Sequence, residues 1–112
     1  MRRVSPDMKE RIARNEATFR DINEDILRGR DQEDDATRVG FVCECGHPDC
    51  SRLIELTPAE YEVVRSDPFQ FAIIPGHEID EVENIVARTD RYFVIRKLED
   101  AGEIVISTDP RS

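Results

Sequence analysis

The chain has 112 residues, of which 38% are hydrophobic and 37% charged, and its formal net charge is −9. This length allows one domain with a short appended element, and so few apolar residues make a thin core that a bound metal would stabilise. The acidity argues against sequence-independent nucleic-acid binding, and the absence of a long apolar run or signal region predicts a cytoplasmic protein without a membrane span.

The first predicted element is an amphipathic helix within residues 1–30. Ser5 suits the N-cap, Pro6 suits the first helical position, and Gly29 provides a stop. Apolar side chains recur along one stripe, which Asn15 interrupts: Met8, Ile12, Phe19, Ile22 and Ile26. Two interpretations stay open, because such a stripe either packs on the chain's own domain or contacts a second copy or a protein partner.

Residues 31–37 are predicted to form an acidic linker, since they contain almost nothing to bury. Two β-like segments, 38–43 and 53–56, flank the cysteines and predict a hairpin with the cysteine loop at its tip. Thr57 and Glu60 then have the spacing of a capping box, which predicts a short helix to about residue 66.

The rest of the chain is predicted to be mostly extended. A strand at 69–74 ends in the turn at residues 75–76. Residues 81–88 fit either a helical face or a strand, and we favour a hairpin with 92–97 because of their β-branched content. An edge strand at 104–107 and a frayed tail at 108–112 complete the prediction.

Cys43, Cys45 and Cys50 are the only cysteines, and they fall within eight positions. Thiolates are strong zinc ligands, and Gly46 permits the sharp turn that brings them together. The alternatives are reduced structural thiols or a redox pair, but a Cys43–Cys45 disulfide would close a strained ring and leave Cys50 unpaired. We therefore predict a metal site with zinc as its ion, although iron and copper also accept thiolates.

The fourth ligand is one of two histidines. His47 would complete the site within the loop and tie nothing else down, whereas His77 would join the loop to a later strand. We favour His77 because a cross-link between distant segments stabilises a thin core more. Glu44 and Glu78 adjoin the ligands, but we expect them to be solvated surface acids and not general bases.

The chain is thus expected to be α+β, with an N-terminal amphipathic helix followed by a small zinc-stapled, mostly antiparallel β domain at 38–107 that contains one short helix. Five segments also resemble a group of short uncharacterised bacterial proteins with a C-x-C-x4-C loop and a later P-G-H-E turn: 15–24, 41–50, 54–61, 75–78 and 88–92. That group has no established function. In it the Pro-Gly-His-Glu turn recurs while position 47 is not regularly His, so the resemblance also favours His77.

These features predict a non-enzymatic, zinc-stabilised regulatory or adaptor protein that acts through protein–protein contacts. One alternative is a zinc-dependent, transcription-related nucleic-acid-binding protein, whose basic residues would be Arg2, Arg3, Lys9, Arg11 and Arg14. The other is a small metalloenzyme with three protein ligands and a water molecule. We rank the enzyme last, because a domain this small offers little room for a pocket and a fourth protein ligand would close the site.

Overall fold

The computed structural model describes residues 5–29, 36–47, 49–98 and 106–111. Its elements are α1 (Pro6–Arg28), β1 (Val39–Val42), β2 (Leu53–Leu56), α2 (Pro58–Arg65), β3 (Gln70–Ile73), β4 (Glu83–Arg88) and β5 (Phe93–Lys97). The predicted α+β class is confirmed. The acidic run at 31–35 and the arginines at positions 2 and 3 lie outside the described residues. Within the described ranges, neither helix is long and apolar enough to cross a bilayer.

Helix α1 begins and ends where its capping residues predict. The Ser5 side chain accepts a hydrogen bond from the amide of Met8 at 3.2 Å, and Pro6 occupies the first turn, where no amide donor is needed. At the other end the amide of Gly29 donates to the carbonyl of Asp25 at 3.0 Å. Local chemistry is therefore sufficient to define this helix.

The face of α1 that is buried differs from the predicted stripe. Met8 and Ile22 are 40% and 41% exposed, so these two members of the stripe do not pack on the chain's own domain. The buried residues are Ile12, Ala13, Glu16, Ala17, Arg20, Asn23 and Glu24. Polar residues can be buried here because they form hydrogen bonds or ion pairs with residues on other elements. Glu16, for example, pairs with Lys97 at 2.9 Å. One face of α1 thus packs on the chain's own domain, and contact of the helix with a second copy or a protein partner stays a prediction.

The strands form two antiparallel sheets. Strands β1 and β2 make the small sheet, with Phe41 opposite Ile54, and this confirms the hairpin that carries the cysteine loop. Strands β3, β5 and β4 make the large sheet in that spatial order. Residues 83–88 are extended and pair with β5 across a bulge between Ile85 and Ala87, so the strand interpretation of this segment is confirmed.

The large sheet separates two apolar clusters because side chains alternate between its faces. On one face Ala72 and Val94 join the first cluster with the small sheet and α2, where the rings of Phe41 and Tyr61 stack 4.5 Å apart. On the other face the second cluster contains Phe71, Ile73 and Ile95 with the three cysteines. The cysteine loop thus forms part of the core.

Helix α2 starts with the predicted capping box. Thr57 Oγ1 accepts from the amide of Glu60 at 3.1 Å, and the Glu60 carboxylate accepts from the amide of Thr57 at 2.8 Å. Arg91 reinforces this box, because its guanidinium donates to both carboxylate oxygens of Glu60. The helix start is therefore tied to the turn between β4 and β5.

The C-terminal segment is ordered by ion pairs, so the predicted frayed tail is wrong over residues 108–111. Asp109 is buried and pairs with Arg65, while Arg111 Nη2 donates to Glu24 at 2.8 Å and Arg111 Nη1 to Glu62 at 3.0 Å. The predicted edge strand at 104–107 is also wrong for residues 106 and 107, which are helical. Residues 104 and 105 lie outside the described part. Charged residues on α1 and α2 hold this segment in place, so its position does not depend on pairing with a strand.

Candidate metal centre

Two separate turns supply the four candidate ligands. Cys43 and Cys45 lie on the loop that follows β1, and Cys50 lies three residues before β2. The loop is tied by backbone hydrogen bonds from Cys43 to the carbonyl of Arg52 at 2.8 Å and from Cys50 to the carbonyl of residue 47 at 3.1 Å. His77 follows β3 and the turn at Gly76, whose φ of 93° favours glycine.

The four side chains converge with the dimensions of a tetrahedral site. The ligand atoms of Cys43, Cys45, Cys50 and His77 all lie within 4.8 Å of one another. His77 Nδ1 is 3.7 Å from Cys43 Sγ and 3.6 Å from Cys50 Sγ. A zinc ion bonded tetrahedrally to sulfur and nitrogen at its usual distances separates those atoms by about 3.6 Å. The donor set therefore fits a metal ion and is consistent with zinc.

The surroundings of the ligands suit metal binding. All three cysteines are buried, and His77 is half-buried. Partial burial and the nearby charges of His47 and Arg52 lower the pKa of His77, which favours the neutral imidazole that binds metals. A hydrogen bond with Cys43 and burial raise the pKa of the Cys45 thiol. A cation at the centre would reverse that effect by stabilising the thiolate.

His47 stands beside the four-residue group without joining it. Its ring is exposed, and its Nε2 lies 3.1 Å from the carbonyl oxygen of His77, the distance of an N–H donor bond. The two imidazoles meet edge to face with centroids 5.8 Å apart. The geometry thus groups His77 with the cysteines and gives His47 a contact to the ligand-bearing turn.

No protein-family model, curated protein or solved structure matches this chain. The resemblance to short bacterial proteins accordingly stays a prediction, and the interpretation of the site rests on its own geometry.

Glu44, between the first two cysteines, has a placement that the sequence did not reveal. It is fully buried, so the expectation of a solvated surface acid is wrong. Its Oε2 accepts hydrogen bonds from Asn23 Nδ2 at 2.9 Å and from the Tyr61 hydroxyl, and its Oε1 accepts from the amide of Ala72 at 2.8 Å. Burial raises the pKa of Glu44, and these three donors oppose part of that rise.

Tyr61 remains a donor to this carboxylate. Burial and the charge of Glu44 raise the pKa of Tyr61, which keeps its hydroxyl protonated. The backbone of the same loop residue pairs with β3, because the amide of Glu44 donates to the carbonyl of Ala72 at 2.8 Å. The cysteine loop is therefore joined to the large sheet through both the backbone and the side chain of Glu44.

Asn23 and Asn15 join the loop to α1. The amide group of Asn23 forms a two-way pair with the backbone of Val42, with both bonds 2.7 Å long, in addition to its bond to Glu44. Asn15 Nδ2 donates to the carbonyl of Gly46 at 3.3 Å. Asn15 was visible in the sequence as a polar interruption of the stripe, but no local signal marked Asn23 as a partner of the loop.

Glu78, the other acid beside the ligands, is also not the solvated surface acid that the sequence predicted. Its residue is half-buried, and its Oε1 is enclosed without a hydrogen-bond partner among the described residues. The carboxylate lies close enough to His77 to oppose the lowering of the histidine's pKa. Its influence on the ligand is thus electrostatic.

Proposed function

We propose that this chain is a non-enzymatic, zinc-stabilised regulatory or adaptor protein. The observation that carries the proposal is the convergence of Cys43, Cys45, Cys50 and His77 from two turns about 30 residues apart in sequence. Because bound metal joins these turns, its binding free energy becomes folding free energy. A domain with so few apolar residues gains most from such a cross-link.

Four protein donors support a structural site and not a catalytic one. A catalytic zinc keeps a coordination position for water or substrate, and a Cys3His set fills all four positions of a tetrahedral ion. The nearby acid Glu44 supports the same proposal, because its oxygens are occupied by Asn23, Tyr61 and Ala72. A carboxylate held by three donors has little freedom to move a proton.

The proposed contact surface is the outward side of α1. Met8 and Ile22 are exposed there and Phe19 is half-buried, whereas Ile26 packs against the first apolar cluster. Exposed apolar side chains on one helix are typical of contacts with a protein partner or a second copy. Ile12, the fifth member of the predicted stripe, is buried within the chain and is therefore left out of this surface.

Elemental analysis of three purified proteins tests the metal proposal: the wild type, His77→Ala and His47→Ala. We expect about one zinc per chain in the wild type and in His47→Ala, and loss of most of it in His77→Ala. The two histidines lie side by side, so His47→Ala is a matched control. Retention of metal in His77→Ala but not in His47→Ala would overturn the ligand assignment, and absence of metal from all three would overturn the proposal.

Self-association, measured by sedimentation equilibrium, tests the contact surface. We expect Ile22→Ser to shift a dimer towards monomer, whereas Val63→Ser should not, although Val63 is 70% exposed on α2. If the wild type is monomeric, the same pair is compared by crosslinking to protein partners. Equal behaviour of the two variants in both assays would contradict the assignment of this surface.

A further inference from the structure

Helix α1 contacts the cysteine loop at Val42, Glu44 and Gly46, which lie on either side of Cys43 and Cys45 in the sequence. Asn23 bonds to Val42 and Glu44, which flank Cys43 on either side. Asn15 donates to the carbonyl of Gly46, the residue after Cys45. The loop thus directs its sulfur atoms to the candidate metal position, while the carbonyls of Val42 and Gly46 and one carboxylate oxygen of Glu44 bond to α1.

At Gly46 the helix also approaches the backbone of the loop closely. A Cβ atom placed on Gly46 would lie 2.2 Å from Cγ2 and 3.1 Å from Cβ of Ile12. These separations are far below van der Waals contact, so the helix sits directly on the loop backbone. A small displacement of the loop would therefore break the packing of Ile12 as well as the hydrogen bonds.

Other buried contacts of α1 are ionic, alongside the packing of Ile26 and Leu27 on the first apolar cluster. Glu16 pairs with Lys97, and Glu24 pairs with Arg65 and Arg111. The cost of removing buried ions from water offsets much of their attraction, so such pairs contribute little net stability. The hydrogen bonds and packing on the cysteine loop therefore add directly to the docking of α1.

We propose that metal binding and docking of α1 are coupled, so that the loaded site holds α1 on the loop and loss of metal releases it. This inference rests on the proposed metal binding. Asn23 is the positioning residue of the coupling, because one side chain bonds to both neighbours of Cys43. Without metal the clustered thiols lose their common partner, and the loop loses the shape that Asn23, Asn15 and Ile12 recognise.

Such coupling is reciprocal. If metal favours docking by a given factor, docking raises metal affinity by the same factor. Release of α1 would also uncover the ring of Phe71 in the second apolar cluster, since the Arg20 guanidinium lies 4.9 Å above it. Metal loading would then govern which surface the protein offers to a partner, and α1 is the part that moves.

Metal affinity is the first readout, measured with Co²⁺ and Zn²⁺ by competition against a chromophoric chelator. We expect Asn23→Ala to bind both ions about 10- to 100-fold more weakly, as is typical when a residue behind the ligands is removed. The absorption bands of bound Co²⁺ should be unchanged, because the four ligands remain. Thr18→Ala is the matched control and should change affinity less than twofold. Thr18 is exposed, and among the described residues its hydroxyl bonds to the carbonyl of Arg14 in its own helix.

Hydrogen exchange of α1 is the second readout, and it separates coupling from a simple loss of stability. With zinc bound, the amides of α1 should exchange at least 10-fold faster in Asn23→Ala than in the wild type. After chelation the two proteins should exchange alike, because α1 is already released in both. An equal effect of Asn23→Ala with and without metal would overturn the coupling.

A second variant keeps the test decisive if Asn23→Ala does not fold. Asn15→Ala removes one partly buried hydrogen bond and should lower zinc affinity by about three- to fivefold, in line with the worth of one such bond. Unchanged affinity in Asn15→Ala and unchanged α1 exchange on chelation of the wild type would overturn the inference while metal binding stands. A wild type that binds neither ion would instead overturn the proposed function.

Discussion

Gly46 and Ile12 are so close that no side chain fits between them: a Cβ on Gly46 would lie 2.2 Å from Ile12 Cγ2. We expect Gly46→Ala to lower the free energy of unfolding by about 1–3 kcal/mol, the usual cost of overpacking, because the branched carbon of Ile12 cannot turn away. In an Ile12→Ala background the same change should cost well under that amount. Denaturant unfolding of the four proteins measures this difference.

Gly40→Ala is the control for that cycle. A Cβ on Gly40 would lie 3.4 Å from the Cδ1 atom of Leu53, whose side chain is exposed and free to adjust. We expect little change in stability. If Gly46→Ala and Gly40→Ala have the same small effect, the close contact between α1 and the loop does not exist in solution.

Asp109 is expected to stabilise the protein through Arg65, which is buried beneath it. Asp109→Ala should lower the free energy of unfolding by about 1–3 kcal/mol, because the guanidinium loses one of two acidic partners and Glu24 remains. Thermal unfolding of Asp109→Ala is compared with that of Asp80→Ala, which removes an exposed acid and serves as the control. Equal melting temperatures for the two variants would show that the C-terminal segment does not hold the helices together.

Lys97 lies between two buried carboxylates, those of Glu16 at 2.9 Å and Glu83 at 3.5 Å. Burial and the charge of Glu83 raise the pKa of Glu16, which makes Glu16 easy to neutralise. Lys97→Met should therefore destabilise by about 3–5 kcal/mol, as expected when buried charges lose their partner. Glu16→Gln should cost much less, and denaturant unfolding at neutral pH would contradict this prediction if the order were reversed.

Glu60 makes stability depend on acid pH. Hydrogen bonds from Arg91 lower the pKa of Glu60 from 4.5 to about 2. A carboxyl whose pKa is lowered by folding stabilises the protein fully above its unfolded value, and this contribution disappears as the pH falls towards the folded value. The stability difference between wild type and Glu60→Gln should thus be constant above about pH 5.5 and shrink between pH 4.5 and 2.

The measurement is urea unfolding at several pH values, with Glu55→Gln as a control because the side chain of Glu55 is exposed on β2. Metal release at low pH affects all three proteins alike, so only the differences between them are interpreted. A difference between wild type and Glu60→Gln that is independent of pH would show that Arg91 does not hold this carboxylate in its charged form.

Local signals predicted the elements well. Ser5 and Gly29 define α1, the Thr57–Glu60 box starts α2, and both hairpins follow from β-like segments on either side of a loop or turn. Such signals succeed because a cap or a turn involves residues within a few positions of each other. Prediction of the C-terminal segment failed because its partners, Glu24 and Arg65, are more than 40 residues away.

By itself the sequence determined the α+β class, the extents of most elements, and a set of three clustered cysteines with two candidate histidines. The sequence also favoured His77 over His47, and the tertiary structure groups His77 with the cysteines. Tertiary structure alone selected the polar face of α1 for burial and placed Glu44 between Asn23 and Tyr61. The physical reason is that a buried polar side chain is stable only with partners, and here those partners come from distant segments. The spacing of apolar residues along the sequence predicts which apolar side chains are buried, but it does not predict pairs of buried polar residues.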